Sequence, residues 1–145
     1  MRFKPTSTGS KSATLTVTPG GGAAVKTVAL SGTGVTSSTV PTYTLTPASL
    51  AFGNVTVGTT SPGQVVTVKN TGSVVLPITS ISRSGTNPGQ FTHSSGCPTQ
   101  LAVGAQCTVT VYFKPTSTGS KSATLKVTPG GGAAVKTVAL TGAGT

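Results

Sequence analysis

The chain is 145 residues long and carries ten Lys and Arg, one His and neither Asp nor Glu, a net charge of +10. A protein of ordinary composition would hold about 17 carboxylates in that length. Their absence removes Glu/Asp acid–base chemistry, the paired carboxylates of glycosidases and the oxygen cages of Ca²⁺ and Mg²⁺. With His93 as the single histidine, neither a catalytic triad nor a histidine-based zinc site can be assembled within the chain, so we expect no enzyme and no cofactor.

Apolar residues make up 34% of the sequence, and Thr, Ser, Gly and Pro punctuate them closely, which favours strands and turns over helices. No run approaches the ~18 apolar residues of a membrane span. The first residues, Met1 to Pro5, lack the apolar core of a signal peptide, so we expect a segment of a longer protein.

A repeat organises the whole chain. Residues 3–34 and 113–144 are the same sequence at an offset of 110, differing only at Thr16/Lys126, Ser31/Thr141 and Thr33/Ala143. That offset suits one β-sandwich domain and a short linker. We therefore expect the closing strands of an incomplete repeat at 1–34, a linker at 35–41 and a complete module at 42–145. Residues 1–34 hold two or three strands, with Ala13, Leu15, Val17, Val28 and Leu30 as the apolar positions available for assembly.

The complete module reads as a series of short strands. Tyr43 and Leu45 alternate within 42–46, and Leu50 and Phe52 follow Pro47. Val66 and Val68 share a face in 64–69, before an Asn70-Thr71-Gly72 turn. Residues 74–82 place Val75, Ile78 and Ile81 around Pro77, which belongs at an edge or a bulge. Strongest is the alternation of Cys107, Val109, Val111 and Phe113. Ala123, Leu125 and Val127 form the next inward face, and Pro129 to Gly132 turn the chain into Val138 and Leu140. Such strands, with a turn every eight to twelve residues, predict an all-β sandwich of about seven strands.

Two motifs in order carry a family resemblance: LAFGNVTVGTTSPGQVVTVKNTGS from Leu50 to Ser73, and CPTQLAVGAQCTVTVYFKPTSTG from Cys97 to Gly119. The chain resembles the bacterial choice-of-anchor D modules, which belong with the ASH (abnormal-spindle, Hydin-type) immunoglobulin-like domains. The resemblance covers about 100 residues. It implies an immunoglobulin-like sandwich, commonly in tandem, in large exported bacterial proteins, and a local disulfide between Cys97 and Cys107. The residues themselves leave two free thiols or a metal pair open. A disulfide implies an oxidising compartment, secreted or on the cell surface.

Two functions follow as expectations. One is a structural repeat of an extracellular stalk or filament, associating with neighbouring repeats or identical chains by exchange of the 1–34 strands. The other is a cationic module that holds a polyanionic polysaccharide, lipid or nucleic acid through Lys11, Lys121, Lys126 and Lys136. No small-molecule substrate is expected. The cations are scattered along the chain, and no nucleic-acid reading motif accompanies them.

Overall fold

A computed structural model describes residues 1–36 and 39–145. The chain divides between residues 37 and 38 into two units. The expected linker, 35–41, contains Ser37 and Ser38, which lie outside the described residues.

The first unit is one antiparallel hairpin of β1 (Gly9–Val17) and β2 (Lys26–Gly34). Its turn passes through Gly21 and Gly22, whose φ of 72° and 81° only glycine adopts without strain.

The second unit is a sandwich of two sheets. One sheet has the order β4 (Ser49–Val55), β11 (Lys136–Gly144), β10 (Gly119–Pro129), β6 (Leu76–Ser84) and β8 (Gln100–Leu101). The other has the order β3 (Tyr43–Thr46), β5 (Gln64–Asn70), β9 (Gln106–Phe113) and β7 (Phe91–Ser95). The one helical element among the described residues is a 3-10 turn, Pro88–Gln90. The strand count exceeds seven because the chain changes sheet between β3 and β4, and because β8 is two residues long.

Alternation decides what is buried. On β9, Cys107, Val109, Val111 and Phe113 point inward; on β10, Ala123, Leu125 and Val127 do; on β11, Val138 and Leu140 do. Val66 and Val68 of β5, beside β9 in the same sheet, join the same core as the inward residues of β10 and β11. The side chains of opposite parity on β10 and β11 are Ser, Thr, Ala and one Lys, as a solvated sheet face requires.

Pro77 lies beside a β-bulge. Thr128 pairs with Ser80 and Pro129 with Ile78, so Thr79 is the extra residue on β6. Pro77, which has no N–H, accepts from the Gly130 N–H at 3.0 Å. Two expectations are corrected here. Strand β6 starts at Leu76 rather than at residue 74, so Leu76 is fully buried and Val75 is 44% exposed. Strand β7 was not anticipated, yet its Phe91 is completely buried.

Candidate assembly hairpin and disulfide clasp

The residues that pair β10 with β11 build the part of the module most relevant to assembly. The two strands pair from Gly119↔Gly144 to Val127↔Lys136. The outer edge of β10 takes β6 in antiparallel pairing, and the outer edge of β11 takes β4 in parallel pairing, Leu140 opposite Leu50. The hairpin is thus held between two strands of residues 42–112, and its inward face lies on the four-stranded sheet.

Aromatic packing seats it. The Phe113 ring stacks on Phe91 with centroids 4.8 Å apart, and Phe52 is tilted against both at 5.9 Å. Gly142 sits against the Phe113 ring so closely that an added Cβ would lie 2.6 Å from it. At the other end, the Tyr43 hydroxyl donates toward the carbonyls of Val127 and Ala134, at 3.2 and 3.0 Å. Burial pushes the Tyr43 phenol up, and a hydrogen bond from the Lys136 backbone offsets part of this. The Lys136 ammonium stands 5.3 Å from the Tyr43 ring centroid, within cation–π range.

The first unit repeats this hairpin. Its pairing runs from Gly9↔Gly34 to Val17↔Lys26, the same register shifted by 110. Phe3 lies on Gly32 as Phe113 lies on Gly142, and Pro5 lies on Gly34 as Pro115 lies on Gly144. Burial separates the two copies. Leu15 is 40% exposed, Val17 and Val28 53% and Phe3 55%, whereas Leu125, Val127, Val138 and Phe113 are all completely buried. Ala13 is exposed and Leu30 half-buried.

Within the module, the predicted cations do not share one face. Lys121 is 8% exposed and donates to the carbonyls of Thr118 and Gly119 at 2.7 and 3.2 Å. In the first unit Lys11 donates to Thr8 in the same way, at 3.0 Å. With no carboxylate available, backbone carbonyls serve these ammonium groups. Lys126 lies on the opposite face of β10 from Lys121, across from Ser82 and Thr137.

Cys97 and Cys107 are joined as a disulfide, with Cα atoms 5.0 Å apart. The bond ties the loop after β7 to the start of β9. Between the two cysteines the chain adds β8 to the other sheet, so the bond clasps a segment that crosses the sandwich.

Two further polar residues, the turn residue Asn70 and the single histidine His93, complete the picture. Asn70 is fully buried. Its amide donates to the carbonyls of Val74 and Leu101 at 2.9 and 3.0 Å, and its side-chain oxygen accepts from Gly72 N–H at 3.0 Å. His93 of β7 is held below its ordinary pKa by burial and by the neighbouring Arg83 charge, partly offset by a hydrogen bond with the Ile81 backbone.

Comparison with known proteins agrees with this architecture. The family model described as Cep192 domain 4 matches residues 40–145. No curated protein is matched at a significant level. Among solved structures, a protein of unknown function from Porphyromonas gingivalis W83 is similar over 97% of this chain and 68% of its own, at 18% identity and a TM-score of 0.60. The ASH/PapD-like domain 7 of human CEP192 is similar over 77% of this chain and 90% of its own, at 15% identity and a TM-score of 0.56. The secreted serine protease VesC from Vibrio cholerae is similar over 73% of this chain but 23% of its own, at 15% identity and a TM-score of 0.53. These identities carry the fold alone. Family and fold are those of a non-enzymatic, repeat-type domain, a structural or interaction module. The chain belongs to the Cep192 domain 4 family, an ASH-type immunoglobulin-like domain.

Proposed function

We propose that this chain is a structural repeat of an exported bacterial assembly, a cell-surface stalk or filament, in which residues 1–34 link one repeat to the next by hairpin exchange. The observation that carries the proposal is the near-copy of the closing hairpin, paired in the register of β10–β11 but with its apolar face exposed. Exposed apolar faces and open strand edges favour association. The disulfide supports an oxidising compartment. So does the likeness to a Vibrio cholerae protein that is itself secreted.

Light scattering on chains 1–145 and 35–145 tests this reading. The longer chain should associate as concentration rises and the shorter should stay monomeric; monomers in both cases at ~1 mM would sink it.

A second reading draws on the uncompensated charge of +10, which attracts polyanions without regard to their sequence. Binding to heparin or DNA that weakens steeply with salt supports it, and binding insensitive to salt counts against it.

A further inference from the structure

We infer that residues 1–34 are a preformed closing hairpin whose occupant is an unfilled module body, namely a second copy of residues 42–112 with no hairpin of its own in place. The inference rests on the reading of residues 1–34 as a linking element and names what that element takes.

Three observations carry it. The first is the location of the three sequence differences between the copies. On β10 the inward positions are Lys121, Ala123, Leu125 and Val127, and on β11 they are Val138, Leu140 and Gly142. Lys126, Thr141 and Ala143 have the opposite parity on their strands. The inward face is therefore identical, residue for residue, in β1–β2. Whatever surface accepts β10–β11 accepts β1–β2 with the same side chains. That surface is the antiparallel edge of β6, the parallel edge of β4, and the place between Phe52 and Phe91 that Phe113 fills.

The second is stoichiometry. The chain contains two such hairpins and one body, and the body holds β10–β11. When a hairpin of one intact chain replaces that of another, one apolar face is covered and an equal one is uncovered. Exchange between intact chains is close to neutral, so their self-association is weak. A body without a hairpin has no such competition.

The third is reach. Gly144 ends β11 beside Val55, and Thr145 N–H donates to the Val55 carbonyl at 3.0 Å. Tyr43 begins the body at the other end of the hairpin, beside Ala134 and Lys136. Those ends are eight strand steps apart, about 27 Å, and the sheets are separated by about 10 Å more, for a span near 29 Å. If β1–β2 filled the place of β10–β11 in its own chain, residues 34 to 43 would have to cover that span. Nine residue steps reach at most about 30–32 Å when fully extended. Closure on residues 42–112 of the same chain would need a tether drawn almost straight, so the occupant is a different copy of that body.

The test uses the full chain 1–145 as host and a polypeptide of residues 40–112 as probe, diluted together from denaturant. The expected result is a 1:1 complex on size exclusion. Leu15→Lys with Val28→Lys in the host, which alters only the first hairpin, should weaken capture at least 100-fold. No complex at 100 µM, or capture unaffected by the two lysines, overturns the inference. A second variant checks the fit of the hairpin directly. Lys126→Thr, Thr141→Ser and Ala143→Thr together give residues 113–144 the sequence of 3–34. An unchanged melting temperature supports the inference and a fall of more than 5 °C overturns it. Self-association of intact chains is read separately by light scattering, so either reading can fail without the other.

Discussion

Replacing Asn70 by Asp tests the polar heart of the module against the acid-free background. Asn70 is fully buried, and its amide donates to the Val74 and Leu101 carbonyls. In Asn70→Asp the Oδ1 still accepts from Gly72, but the other oxygen faces two carbonyls and has nothing to donate. Losing two hydrogen bonds costs about 2 kcal/mol, and burying the charge against carbonyl dipoles adds a similar amount, for about 4 kcal/mol at pH 7. For a domain near 100 residues this lowers the melting temperature by roughly 15–25 °C. The environment raises the folded pKa above the unfolded value of about 3.9. Between those two values the native state binds more protons, so stability falls as pH rises through the window. At pH 3 the protonated acid regains one donor, and the loss should shrink to about half. Thermal unfolding followed by circular dichroism between pH 3 and pH 8 reads both effects. An equal loss at pH 3 and pH 7, or one that grows toward acid, would refute the reasoning.

In the parent chain no side-chain carboxylate takes up protons, so stability between pH 8 and pH 3 should be nearly flat. The exception is His93. Its folded pKa is lowered, so its contribution is complete above the unfolded value of about 6.5 and declines as pH falls through the window below it. His93→Gln should remove that small decline, and an unchanged decline would mean another group causes it. Cys97→Ala with Cys107→Ala, ten residues apart, should lower stability by about 2–3 kcal/mol through the freed loop; denaturant unfolding with no change in midpoint would contradict this. Gly142→Ala drives a Cβ into the buried Phe113 ring and should cost about 1–3 kcal/mol. Gly32→Ala meets the half-exposed Phe3 ring, which has room to move, and should leave the module's melting temperature unchanged.

The sequence was most informative where inward positions are uniformly apolar. Cys107 to Phe113, Ala123 to Val127 and the pair Val138 and Leu140 all lie on strands with the expected parity. The repeat was legible from identity alone. Strand β7 was not, because after Phe91 its positions of the same parity are His93 and Ser95, which carry no apolar signal at a sheet edge. Strand β8 is too short for any period to register. Val74, Val75 and Leu76 form an apolar run without alternation, and the pairing of Leu76 with Leu101 decides which of them turns inward. Asn70 was read as a turn residue, which it is, but its buried amide bonds depend on carbonyls 4 and 31 residues away. Lys121 was read by its charge, whereas its place on an inward-facing position decides its role.

One hairpin sequence occurs twice in the chain, covered in the module and uncovered in residues 1–34. Hydrogen exchange on dilute, monomeric 1–145 tests it most directly, because the two copies serve as each other's control. Paired amides of β10 and β11 should exchange at least 1000-fold more slowly than their counterparts in β1 and β2, since a lone hairpin is marginal in water. Equal protection of the two hairpins in the monomer would contradict the account.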